Sequence, residues 1–254
     1  MAKWKKIITA GPLVMETVYP AQNPRDSAAV RAGKSKLSSE AQQRMNQKYS
    51  YQKLELGLAA NFVAGDLVVT LTYDDAHLPA SRKAADEKLK YFRSKLAAAR
   101  KKKGQTLVMF WNIEHKHDSC EGRWHHHCVI NATGDDYDLI RKLWGQGSNV
   151  EIKPLRVDRE KNYETLAKYM AKESRDKLGQ RSWSCTRNAR KPEVEAFRVP
   201  NSEELTPPRG STVLMDTGDV QTAYGHYRYI KYLTSGWESA PKPRAKRRRK
   251  KAVR

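Results

Sequence analysis

The segment Arg123-Trp124-His125-His126-His127-Cys128-Val129-Ile130 places three consecutive imidazoles in a run of β-forming residues. In a strand, successive side chains point to opposite faces. One face then holds Trp124, His126, Cys128 and Ile130, mostly apolar and suited to a core. The other presents His125 and His127, and two imidazoles at i and i+2 can converge on one metal ion. Three adjacent histidines can equally be a plain polar patch, so the pair takes its meaning from its neighbours. Glu114 closes the preceding strand of the same hairpin, where cross-strand pairing brings its carboxylate toward the imidazoles. Two histidines and one carboxylate leave positions open for water or a phosphate oxygen. Mg2+ or Mn2+ suits that set. His115, His117 and Asp118 are alternative ligands, and the bland reading of Glu114 is a solvated strand-end charge.

A second reactive group lies in Leu166-Ala167-Lys168-Tyr169-Met170-Ala171-Lys172. On a helix, Tyr169 and Lys172 are three apart and share a face. A tyrosine hydroxyl, with a pKa near 10, is a weak nucleophile until a cation activates it. Most helix tyrosines only pack, and Tyr163 fits that role. In Val69-Thr70-Leu71-Thr72-Tyr73-Asp74-Asp75, the polar side chains of a strand are candidates for a DNA-facing surface.

These groups need elements to hold them. Strands are expected at Leu67–Tyr73, Thr106–Glu114, Trp124–Asn131 and Asn149–Val157, from β-branched runs bounded by turn residues. Helices are expected from Ser38 to near Asn61, over 81–102, at Asp135–Trp144 and at Asp158–Glu173, the last with Asp158 as its cap. This order predicts an α+β fold with an antiparallel central sheet flanked by helices. Residues 1–37 read as an irregular arm with one short strand at Lys6–Thr9, and residues 38–195 as the main domain. Residues 196–240 read as an extension with short strands. Residues 241–254, with nine Lys or Arg and no acid, read as a disordered basic tail.

The 254-residue chain has a net charge of +21. So large an excess calls for a polyanion, because Lys and Arg neutralise phosphates and release counterions. Nucleic acid is preferred over a membrane surface, since no apolar run of spanning length and no basic amphipathic helix is visible. There is no signal-like start, and Cys120, Cys128 and Cys185 form no paired framework, which points to a reducing compartment. The tail residues Lys246, Arg247, Arg248 and Arg249 supply non-specific DNA affinity; the same run would serve as a nuclear signal in a eukaryotic protein. No GxxxxGK phosphate loop occurs, so no nucleotide or other small-molecule cofactor is expected.

Three motifs in this order resemble the HUH endonucleases that initiate rolling-circle replication, in particular single-tyrosine initiators of single-stranded DNA phages and bacterial plasmids. They are Thr70-Leu71-Thr72-Tyr73, then Glu114 with Arg123 and His125-His126-His127, then Ala167-Lys168-Tyr169-Met170-Ala171-Lys172. The resemblance spans roughly residues 60–195, including Leu143-Trp144-Gly145 and the stretch Ser182-Trp183 through Arg190-Lys191-Pro192. It departs at His126, where the family carries a hydrophobic residue. It implies an HUH or RRM-like nuclease fold. His125, His127 and Glu114 would hold the metal, and Tyr169 would be the nucleophile, with Lys172 and Lys168 stabilising charge. Thr70, Thr72, Tyr73 and Arg123 would face DNA. The implied partners are single-stranded origin DNA and a host helicase and polymerase, in a bacterial cytoplasm. A relaxase or transposase of the same superfamily would use the same chemistry. A non-catalytic single-strand-binding protein would use only stacking and charge.

Overall fold

The computed structural model describes residues 3–20, 40–116, 123–158, 160, 162–172, 181–222 and 225–237. In chain order the described elements begin with β1 (Lys3–Ala10), β2 (Leu13–Pro20), α1 (Glu40–Asn61), β3 (Leu67–Leu71) and α2 (Arg82–Lys102). Then come β4 (Met109–Lys116), β5 (Arg123–Ile130), α3 (Asp136–Trp144), β6 (Val150–Pro154) and α4 (Glu164–Ala171). The rest are β7 (Ser184–Cys185), β8 (Glu193–Val199), β9 (Thr212–Asp216), β10 (Val220–Thr222) and β11 (Gly225–Leu233). The chain divides into two compact units. One joins Met1–Asn46 to Lys191–Pro241, and the other is built on Gln47–Arg190.

The second unit is an antiparallel sheet in the order β6-β3-β5-β4-β7. It is α+β with helices on both faces. On one face Leu67, Val69, Leu71, Met109, Cys128 and Ile130 meet Leu89, Phe92 and Leu96 of α2 and Ile140 and Trp144 of α3. On the other, Phe110 of β4 packs edge-on against Phe62, just beyond α1, and stacks on Trp183. Gly57 of α1 is required there, because a Cβ would sit 2.7 Å from the Phe110 ring. The Tyr163 hydroxyl donates to the carbonyl of Phe62 at 2.9 Å, which ties the start of α4 to the end of α1. A fully buried Arg100 binds Asp136 at 2.6 Å and Asn131 at 2.8 Å, joining α2 to the start of α3.

Two sequence expectations are corrected. Helix α4 starts at Glu164 instead of Asp158. Asp158 turns its carboxylate onto the backbone N–H of Glu160 and pairs through its backbone with Asn162, whose φ of +54° no helix can continue through. Residues 1–37 are not uniformly irregular, since β1 and β2 form a long hairpin across Gly11 and Pro12, with Gly11 at φ +58°. Strand β4 also begins later than expected, at Met109, and β6 ends at Pro154.

The first unit is a six-stranded sheet. Its main path is β10-β11-β2-β1-β8, and β9 pairs with β11. All its pairings are antiparallel. The partners of β1 and β2 lie far along the chain, which is why local patterns give the arm little structure. Its small core is Val14, Val18, Leu205, Ile230 and Tyr232, with Ile7 against it. The Tyr232 hydroxyl donates to the buried Glu16 carboxylate at 2.6 Å.

Candidate active site

The histidine strand β5 lies between β3 and β4. Register sets the site: His125 opposes Glu114, and His127 opposes both Asn112 and Thr70. Directly opposed residues share a face, so all five side chains emerge on the side where α1 and α4 lie. His126, one residue out of phase, is fully buried on the opposite face beside Tyr73 and Trp144. Its Nε2 lies 2.6 Å from the Tyr73 hydroxyl. Burial, aided by the neighbouring His127 and His125, pushes its pKa down to about 3, so it is neutral.

On the α4 side, Nε2 of His127 lies 2.8 Å from Oε2 of Glu114 and 3.0 Å from the Tyr169 hydroxyl. Nδ1 of His127 is 3.3 Å from the Thr70 hydroxyl, and its backbone N–H donates to Asn112 at 3.3 Å. Lys172, at the C-cap of α4, reaches Oε1 of Glu114 at 3.4 Å and lies over the Tyr169 ring. Glu114 is 5% exposed, yet its pKa is lowered: burial pushes it up, and His127 and Lys172 outweigh that. It is therefore a carboxylate near neutral pH. Tyr169 is 38% exposed, and burial together with the Glu114 charge raises its pKa, so its hydroxyl keeps its proton. Helix α4 needs Ala167, Met170 and Ala171 buried in order to present Tyr169 outward.

The structure thus gathers Glu114, His127, Tyr169 and Lys172. It does not gather His125 with them: that ring turns along its own strand, with Nδ1 donating to the Arg123 carbonyl at 2.8 Å. Among the described residues, no three His, Cys, Asp or Glu side chains are grouped closely enough to hold a metal ion. The donor chemistry nonetheless fits a divalent cation. An ionised carboxylate and an imidazole nitrogen stand 2.8 Å apart. The Nδ1–H tautomer of His125 carries its lone pair on Nε2.

Other sequence candidates fall elsewhere. Lys168 binds Glu164 at 2.5 Å and lies over Tyr51, away from the Tyr169 hydroxyl. Tyr73, expected to face DNA, is 4% exposed and holds His126, so it is a core residue. Thr72 donates to the Asn149 carbonyl at 2.5 Å. Thr70 backs His127. Arg123 binds Asp75 and the Tyr73 carbonyl, clamping the loop after β3. His115 packs on Trp124 at 4.3 Å between ring centres, off the Glu114 face. His117, Asp118 and the basic run Lys246, Arg247, Arg248 and Arg249 lie outside the described residues. Asn112 is absent from the sequence-based set, although it sits two residues before Glu114 and strand alternation places it on the same face.

Fold and site together define a class: an antiparallel sheet with flanking helices that presents a tyrosine to a histidine–carboxylate pair. Residues 66–174 match a family model for replication-associated proteins of the ORF2 type, and this segment contains Glu114, His127, Tyr169 and Lys172. The match covers less than half of the chain. Comparison with curated proteins and with solved structures gave no match. No helix among the described residues is long and apolar enough to cross a membrane.

Proposed function

We propose that this chain initiates replication by nicking single-stranded DNA through Tyr169, with Glu114, His127 and His125 holding a divalent cation. The observation that carries this reading is the Tyr169 hydroxyl 3.0 Å from His127, beside the buried Glu114 carboxylate. The match of residues 66–174 to a replication-associated family supports the replication role. A bound Mg2+ or Mn2+ would draw charge off the scissile phosphate and offset the carboxylate field that keeps the Tyr169 hydroxyl protonated.

This chain's own residues do the rest. The Tyr169 oxygen attacks phosphorus in line, forming a 5′-phosphotyrosyl bond and releasing a 3′-OH that a host polymerase can extend. Attack by a 3′-OH on that bond reverses the step and reseals the strand. Lys172 steadies the tyrosine oxygen and the phosphate charge from the same side. Thr70 and Asn112 fix the His127 ring: the Thr70 hydroxyl can donate to Nδ1 or accept from it, so either tautomer has a partner. Strand separation would fall to a host helicase.

The test incubates the full chain and Mn2+ with labelled single-stranded DNA, using both the native origin and a randomised library, followed by a denaturing gel. A covalent protein–DNA band is expected, and Tyr169→Phe removes it. No band from either DNA, or a band that persists in Tyr169→Phe, overturns the proposal.

A further inference from the structure

The sheet of the first unit separates its charges by face. Opposed residues share a face, so the register assigns each strand residue. Ile7, Val18 and Ile230 mark the core face, and the strand carboxylates Glu16, Glu193, Glu195 and Asp216 all fall on it. The other face carries Trp4, Lys6, Tyr19, Arg198 and Tyr229. None of the described strand residues on that second face is acidic.

The arrangement on this face is regular. Trp4 opposes Arg198 on one side and Tyr19 on the other, so one row crosses three neighbouring strands. Strands lie about 4.8 Å apart, a spacing that suits successive flat groups. One step along, Lys6 opposes Thr17, which opposes Tyr229. The Arg198 guanidinium lies 5.6 Å from the Trp4 ring centre and is itself exposed. Trp4, Tyr19, Lys6 and Tyr229 are partly exposed, whereas Ala10 and Leu13 bury the far end of the same face.

Aromatic planes spaced across a sheet, with cations beside them and no carboxylate among them, match the chemistry of single-stranded nucleic acid. Unpaired bases stack on the rings while Lys and Arg meet the phosphates. In a duplex the bases already stack on each other and offer edges only. We propose that this face of the first unit is a separate binding surface for single-stranded DNA, outside the segment that bears Tyr169. The choice of DNA rests on the proposed replication role. The surface itself rests on the charge and ring pattern.

The test measures equilibrium binding of the full chain to a labelled oligothymidylate of roughly 30 nucleotides, in chelator, so that cleavage plays no part. Lys6→Glu and Arg198→Glu, both at polar positions, should weaken binding about tenfold or more and flatten its salt dependence. Trp4→Ala with Tyr19→Ala should weaken it by a similar factor. Glu195→Gln, on the opposite face, should not, and thermal melts check folding in each case. Unchanged affinity in Lys6→Glu and Arg198→Glu overturns the proposal. So does an equal loss for duplex and single strand, or tighter binding of an RNA of the same length. A protein that loses binding in Arg198→Glu but forms no covalent adduct keeps this surface and refutes only the nicking reading.

Discussion

The hydroxyl of Tyr169 lies 3.0 Å from Nε2 of His127, although the two residues come from a helix and a strand 42 positions apart. Their rings meet edge to face at 4.9 Å. If this contact marks a nucleophile, Tyr169→Phe should lower covalent adduct formation by at least about a thousandfold. Its melting temperature should barely move, since the hydroxyl is at the surface. Tyr163→Phe reverses the pattern: losing the buried bond to Phe62 should cost about 1–2 kcal/mol by urea denaturation, with adduct formation kept.

Cation removal is a second check. EDTA should abolish cleavage, and excess Mn2+ should restore it. Glu114→Ala and His127→Ala should not be restored, because each removes a donor of the buried pair. His126→Phe should still cleave, at a cost of about 1–3 kcal/mol for stranding the Tyr73 hydroxyl. Loss of cleavage in His126→Phe with the fold intact would mean that His126, and not its neighbours, serves the site.

The two lysines of α4 should separate. Lys172 touches Glu114 and Tyr169, so Lys172→Ala should slow adduct formation by about a hundredfold. Lys168 is held by Glu164 and Tyr51, so Lys168→Ala should stay near the wild-type rate. Single-turnover rates at saturating DNA decide between them.

Stability should depend on the buried Arg100–Asp136 pair. Asp136→Ala, which leaves the guanidinium buried without its charge partner, should cost about 3–5 kcal/mol. The Asp136 carboxyl is below its usual pKa: burial pushes it up, and hydrogen bonds from Thr133 together with Arg100 outweigh that. A depressed carboxyl stabilises the fold above the unfolded pKa of about 3.9, and that stability is lost as pH falls toward the folded value. Urea midpoints should therefore fall below about pH 4, and Asp136→Asn should flatten this dependence.

Much of the second unit is legible in the chain. The period-2 alternation around His125–Ile130 separates a core histidine from its two neighbours, and β-branched runs and Gly stops locate the strands and helices. These are local signals, carried by side chains within one element. Helix α4 reads too long because one left-handed Asn162 outweighs the acidic cap pattern before it. The first unit is mostly hidden, since β1 and β2 pair with strands nearly two hundred residues away and nothing local announces such partners.

By itself, the sequence determined which residues have the right chemistry and which of them share a strand face. Only the tertiary structure decided which of them meet. It brought Glu114, His127, Tyr169 and Lys172 together, sent Lys168 to Glu164, and buried Tyr73 against His126. The physical reason is that contact between elements depends on register and on how helices pack across a sheet. Those are settled by cooperative burial of the whole core, not by any one segment's pattern.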